Sequence, residues 1–330
     1  MLILAKSILG LALGFVLAIV VGLIIIPVLK QLKAGQNVSR LINKRHLKKE
    51  GTPTIGGLIF IIPPIIALSL LALRGSIDIS PNLIIVIFVF LSYALLGFID
   101  DFLKIKFHNN KGLSTMTKFV AQLLIAVVFY TIYKHNGGTT TLEITLINFK
   151  WDMGWFYGLF ILFLLVGTTN AVNITDGLDG LCGGLSVMAF LSYGVITWGS
   201  DWIAGYEGMA IFAFILVGSL LGFLLFNSHP ARVFMGDTGS LALGGALATI
   251  AILTHHELSL ALIGGVFVIE TLSSLIQIIS IRKFNKKVFL KAPIHHHFEE
   301  LGWSETDIVK IFWTMGFLLA MFGVIYGVWL

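Results

Sequence analysis

"LLGFIDDFLKIK" (residues 95–106) closes an apolar run that opens near residue 83 and ends on two adjacent aspartates, Asp100 and Asp101, with Lys104 just beyond. A helix needs about 20 apolar residues to cross a bilayer, and this run has that length. Similar runs recur along the chain, whose 330 residues are 57% hydrophobic and only 12% charged. Soluble proteins carry about 25% charged residues, so this composition specifies an integral membrane protein. Spans of this length satisfy their own backbone groups as helices, whereas barrel strands would be about 10 residues of alternating polarity. The fold class is therefore all-α and polytopic, with ten spans at 3–29, 55–73, 83–103, 117–134, 155–171, 182–198, 206–226, 239–254, 258–281 and 308–329. Pro63 and Pro64 predict a kink or break in the second span. The first run is too long for a signal-peptide core and has no clear small-residue cleavage site, so it reads as a retained span. No internal repeat or low-complexity tract divides the chain, and one membrane domain, 1–330, is the simplest organisation. The lone Cys182 excludes an intramolecular disulfide and any cysteine-based metal site.

An even number of spans puts both termini on one side. Of the 22 Lys and Arg residues, 18 fall in or beside loops 31–54, 104–118, 172–181, 227–238 and 282–307; only Lys6, Arg74, Lys134 and Lys150 fall on the other side. The positive-inside rule makes the basic side cytoplasmic and both termini external. The net charge of +5 is thus a membrane-orientation signal and gives no reason to expect nucleic acid. In the external loop 135–154, Leu142, Ile144 and Leu146 alternate with Glu143 and Thr145, which predicts a short β-hairpin. Ser304 followed by Asp307 resembles a capping box opening the last helix.

The unusual polar clusters gather on the basic side. A carboxylate at a helix C-terminus faces the negative end of the dipole, so Asp100 and Asp101 are costly there unless Lys104, four and three residues on, relieves them. A solvated helix end is the plain reading; a cation and anion site is the functional one. "NAVNITDGLDG" (170–180) is either an ordinary Asn/Asp/Gly turn or a ligand loop whose glycines admit close backbone approach. "RVFMGDTGS" (232–240) reads either as a helix cap by Asp237 or Thr238 or as an oxygen ligand for Mg²⁺. His295, His296 and His297 are consecutive, so their side chains diverge; phosphate hydrogen bonding or acid–base work suits them better than one shared metal. Glu270 is an intramembrane acid, functional by position or simply paired within the bundle. The stretch 282–291 reads as a solvated basic anchor. Taken together, carboxylates, lysines and Gly/Asn loops at one membrane face point to chemistry on a phosphorylated substrate with a lipid partner.

In order along the chain, "GTPTIGG", "GFIDDFLK", "NAVNITDGLDG", "VFMGDTGS" and "PIHHHFE" resemble the motifs of the MraY family, the bacterial phospho-N-acetylmuramoyl-pentapeptide-transferases of the polyprenyl-phosphate N-acetylhexosamine-1-phosphate transferase superfamily. The resemblance spans essentially the whole chain. It implies transfer of phospho-MurNAc-pentapeptide from UDP-MurNAc-pentapeptide to undecaprenyl phosphate, with Mg²⁺ as cofactor, in a homodimer of the bacterial cytoplasmic membrane. By motif, Asp100, Asp101 and Asp237 are the core acids and metal candidates, with Asp237 the main Mg²⁺ ligand; Lys104 and Lys118 are available to phosphates as point charges. Lys49, Thr54, Asn170, Asn173, Asp176, Gly177, Asp179 and Phe234 map to the family's nucleotide pocket, and Asn227, Gln277 and His295–His297 to neighbouring positions. Two other readings compete. One is a sister transferase using UDP-GlcNAc; the other is a cation-coupled transporter, which would place its acids near mid-membrane.

Overall fold

The computed structural model describes residues 3–32, 49, 51–107, 112–144, 147, 149–199 and 206–328. Among these, the elements run α1 (Ile3–Gln31), α2 (Leu58–Leu73), α3 (Pro81–Lys106), α4 (Thr115–His135), β1 (Thr141–Ile144), β2 (Phe149–Asp152), α5 (Phe156–Thr175), α6 (Leu181–Gly199), α7 (Tyr206–Asn227), α8 (Gly236–Leu253), α9 (Glu257–Ile263), α10 (Gly265–Phe284), α11 (Ile294–Glu300) and α12 (Glu305–Val328). Nine of these helices are long and apolar enough to cross a membrane, and the 16-residue α2 is a shorter apolar helix. Lys33, Arg40, Lys44, Arg45, Lys48 and Lys111 of the basic loops, with Leu146, lie outside the described residues.

Local chemistry sets the helix starts. Ser80 accepts the Leu83 N–H at 3.2 Å, and Pro81 stands at the first helical position of α3, where its missing N–H costs nothing. Ser114 accepts the Thr117 N–H at 3.1 Å to open α4. The expected box at α12 is present: Ser304 accepts the Asp307 N–H at 3.2 Å and donates to its carboxylate at 2.6 Å. The expected hairpin is present too. β1 and β2 pair antiparallel with Glu143 opposite Lys150, whose charged ends meet at 2.7 Å.

Of the kink or break expected at Pro63 and Pro64, the break does not occur: α2 runs continuously through both, and both are buried against the bundle. Neighbouring helices tolerate the freed carbonyls in such a setting. The ninth span, expected as one segment over 258–281, is instead two helices joined at Gly264, which ends α9 and opens α10. Two consecutive glycines, Gly264 and Gly265, make this the weakest point of the segment as a helix.

Burial orders the bundle. Within their apolar windows α7 and α8 are 83% and 89% buried, while α1 and α4 are 17–22% buried; α7 and α8 are central, and α1 and α4 turn apolar side chains such as Ile24 and Leu124 outward. In lipid, association depends on close packing. A Cβ on Gly218 would lie 1.9 Å from the Leu11 carbonyl oxygen, so the α1–α7 contact is made backbone to backbone. The antiparallel succession brings the end of α3, the start of α4, the end of α5 and the start of α8 to one end of the bundle. The hairpin, carried between α4 and α5, stands at the other.

Candidate active site

Asp100 and Asp101 are 1% and 2% exposed, so both charges need partners. Asp101 finds them on α8. Its Oδ1 accepts the Asp237 N–H at 3.2 Å, and its Oδ2 accepts the Thr238 N–H at 2.9 Å and the Thr238 hydroxyl at 2.7 Å. A carboxylate badly placed at the end of its own helix is thereby well placed at the N-terminus of another. Neither Asp237 nor Thr238 caps α8 with its own side chain; the cap comes from α3. Two glycines permit the approach. A Cβ on Gly97 would lie 2.0 Å from the Asp237 carbonyl oxygen, and one on Gly236, which has φ +70°, would lie 2.4 Å from Asp101 Oδ2.

Asp100 and Asp237 meet two lysines. Asp100 Oδ1 accepts the Leu113 N–H at 2.8 Å, and its Oδ2 pairs with Lys104 at 2.6 Å and Lys118 at 3.5 Å. Asp237 Oδ1 accepts from Asn173 Nδ2 at 2.6 Å, and its Oδ2 receives Lys118 at 2.5 Å and Lys104 at 3.0 Å. Asp100, Asp101 and Asp237 each bring an oxygen within 4.8 Å of the others. This hard oxygen set fits a divalent cation such as Mg²⁺, which takes one or two carboxylates together with phosphates. The Oδ2 atoms of Asp100 and Asp237 suit that role, since both face Lys104 and Lys118 and the two carboxyls lie against each other. Asp101 has both oxygens committed to α8.

The remaining motif residues divide between two jobs. "GTPTIGG" zips onto "VFMGDTGS": Phe234 N–H donates to the Pro53 carbonyl at 2.9 Å, and the Gly56 N–H returns to the Phe234 carbonyl at 2.8 Å. Thr54 is buried beneath this ribbon, 2.6 Å from the point a Gly236 Cβ would take. Asn173 bridges Asp237 and Ser240. Asn170 turns to Gln122 of α4 at 2.8 Å and Asn227 clamps backbone, accepting Gly180 N–H at 3.1 Å and donating to Val233 at 3.0 Å. Gln277 likewise pins Val288 and Phe289 through three hydrogen bonds of 2.9–3.0 Å. Burial pushes the Asp176 carboxyl up to about 8, with Asp237, Asp101 and Asp179 adding to the shift and Lys49 opposing it.

The three histidines hydrogen-bond to different partners, but they do not all diverge: the His295 and His296 rings lie 4.2 Å apart, centre to centre. His295 is buried, with Nδ1 3.0 Å from Glu270 Oε2 and Nε2 directed at Gly177, where a Cβ would be 2.4 Å away. His296 Nδ1 pairs with Glu299 at 2.6 Å, and His297 Nδ1 accepts the Leu290 N–H at 3.1 Å. Glu270 is therefore the partner of His295 inside the bundle.

Lys49 and Asp179 meet at 2.7 Å on the wall of a cavity of about 420 Å³, with Thr52, His229, Ser304 and Glu305 among its other lining residues. Asp179 Oδ2 also lies 3.0 Å from His229 Nδ1 and accepts the Ala231 N–H at 3.1 Å. His229, Glu305 and Gln122 are absent from the sequence-based site. An acid in the first turn of a helix and a histidine before a proline are ordinary features, and nothing in their spacing signals this convergence.

A bundle of membrane-length apolar helices with an acid–lysine cluster at one end falls in a known class: the family model described as glycosyl transferase family 4 matches residues 83–255. The chain is also 47% identical over 317 residues to the phospho-N-acetylmuramoyl-pentapeptide-transferase of Bacillus subtilis (strain 168), covering 96% of both chains. It is 45% identical to that of Geobacillus thermodenitrificans (strain NG80-2), covering 98% of both, and 46% identical to that of Oceanobacillus iheyensis, covering 94% of both. The chain belongs to the phospho-N-acetylmuramoyl-pentapeptide-transferase family.

Proposed function

We propose that the chain transfers phospho-MurNAc-pentapeptide from UDP-MurNAc-pentapeptide to undecaprenyl phosphate, forming lipid I and UMP for peptidoglycan synthesis. It acts as one membrane domain, homodimeric in the bacterial cytoplasmic membrane, with both termini external and the active site cytoplasmic. The observation that carries the reading is the convergence of Asp100, Asp237, Lys104 and Lys118 at one end of the bundle in a chain so close to named transferases. The orientation is supported by Lys104, Lys106, Lys118 and Arg282–Lys291 at that same end, against few basic residues at the hairpin end.

Both reactants are anionic and would repel each other in an uncompensated site. Asp100 and Asp237 would hold Mg²⁺, and a cation there would supply charge neutralisation for the pyrophosphate and the departing UMP. Lys104 and Lys118, now paired with those carboxylates, turn to the phosphates as point charges. Asp101 keeps α8, and with it Asp237, in register. Asn173 orients Asp237 from the opposite side. Lys49, Asp179 and Phe234 receive the nucleotide, with Thr54, Asp176 and Gly177 beside them, and Phe234 stacks on uracil. His295 reaches Gly177 with its Nε2, and His295, His296 and His297 serve phosphate hydrogen bonding or proton transfer. Asn170, Asn227 and Gln277 support the surrounding loops. A phosphate monoester has its second pKa near 6, so the lipid phosphate is already largely dianionic at neutral pH and attacks directly, without an aspartyl intermediate.

The test is UMP release by purified protein given a polyprenyl phosphate and either UDP-MurNAc-pentapeptide or UDP-GlcNAc. Turnover with the first and none with the second supports the reading; the reverse assigns the chain to the sister transferases. Asp237→Asn removes a full charge from the metal site and is expected to abolish release in a protein that still folds, a loss of several kcal/mol of transition-state stabilisation.

A further inference from the structure

The cavity at Lys49 and Asp179 is lined by a residue that neither the motifs nor the proposed reaction assigns. Glu305 opens α12, and its Oε1 accepts both the Lys49 ammonium and the Asp179 backbone N–H at 2.6 Å. Its Oε2 lies 3.5 Å from His229 Nδ1. Lys49 is therefore gripped by two carboxylates, Asp179 at 2.7 Å and Glu305 at 2.6 Å, carried on separate segments of the chain. An ammonium has three donors; two are spent here, and one is left for a ligand in the cavity that Lys49 lines.

We infer that Glu305 is a positioning residue for donor-substrate binding: it fixes the Lys49 ammonium and the Asp179 backbone together, so that the nucleotide meets a preset donor instead of a mobile lysine. The inference rests on the reading of Lys49 as a nucleotide-binding residue. Charge supports it. With two carboxylates against one ammonium, this wall is unsuited to phosphate and suited to the uncharged nucleoside end, while the diphosphate goes to the cluster where Lys104 and Lys118 stand. A long flexible lysine loses side-chain entropy on binding, and a carboxylate that holds it in the free protein removes that cost from the binding step.

The experiment is a double-mutant cycle on purified enzyme with Glu305→Gln, Lys49→Ala and the pair, reading kcat and the KM of UDP-MurNAc-pentapeptide and of undecaprenyl phosphate separately. Gln keeps the shape and loses the charge. The expected result is a donor KM raised about tenfold by Glu305→Gln, with kcat and acceptor KM within about twofold, and less than about a twofold further change when Glu305→Gln is added to Lys49→Ala. If Glu305→Gln leaves donor KM unchanged, lowers kcat instead, or costs the same factor in the Lys49→Ala background, Glu305 does not act through Lys49 and the inference is overturned. If Lys49→Ala itself leaves donor KM unchanged, the nucleotide reading of Lys49 fails, and this inference falls with it by a distinguishable route. Glu305→Asp keeps the charge but is too short to reach both partners. It supplies the same readout, with a smaller rise in donor KM, should the Gln variant not fold.

Discussion

Asp100 and Asp101 sit side by side yet answer to different parts of the protein. Asp101 is a cap in trans, holding the first N–H groups of α8, whereas Asp100 faces the lysines and the space a cation would use. The two asparagine variants should therefore separate. Asp101→Asn weakens a buried, charge-assisted cap and should cost about 1–2 kcal/mol of stability, read as an earlier thermal unfolding in detergent. Asp100→Asn should unfold near the wild-type temperature while losing turnover. Equal unfolding temperatures for the two would contradict the division of labour. Asp176 offers a pH test. Its carboxyl, raised to about 8 by burial and neighbouring acids, is neutral below that pH and anionic above it. An anionic donor substrate meets a neutral carboxyl at pH 7 and a repelling one in alkali. Calorimetric affinity for UDP-MurNAc-pentapeptide should thus fall as pH rises through about 8, and Asp176→Asn should remove that alkaline loss. A wild-type affinity flat across about pH 6.5–9.5 would contradict it. Residue types and order made the gathering of Asp100, Asp101 and Asp237 legible in the sequence, whereas Lys49 was picked out only by the family resemblance. Glu305 and His229 were not legible, because their importance comes from which segments meet them.

Elements explain why the motifs contain the residues they do. The glycine in "LLGFIDDF" is Gly97, where α3 lies against the start of α8, and the first glycine in "MGDTGS" is Gly236, which turns the chain in a left-handed conformation beside Asp101. Gly97→Ala would drive a methyl group into the Asp237 backbone carbonyl, which is no flexible neighbour. Separating α3 from α8 should cost about 1–3 kcal/mol and move Asp237 away from Asp100, so stability and turnover should fall together. A fully active, equally stable variant would show that this contact does not set the site. Spans α1, α3–α8 and α12 were legible from apolar length alone, since lipid demands it. The split between α9 and α10 was not: hydropathy is continuous across Gly264 and Gly265, and the break is a matter of backbone geometry. The same holds for α2, where prolines that would end a solvated helix are accommodated by packing.

For the molecule as a whole, the central fact is that its two ends differ. One carries the short β-hairpin; the other gathers the acid–lysine cluster, the Lys49–Asp179–Glu305 cavity and the histidine helix α11. Charge sidedness announced this division before any contact was known, because lysine placement along spans is a one-dimensional signal. The central claim is that both substrates react together at the second end, with the lipid phosphate attacking directly. Rapid quench of enzyme stripped of polyprenyl phosphate tests it, with UDP-MurNAc-pentapeptide added first and undecaprenyl phosphate second. Direct attack gives no UMP after the first addition and, after the second, UMP and lipid I in equal amounts. A stoichiometric burst of UMP from the nucleotide alone, with label trapped on Asp100 or Asp101, would contradict it.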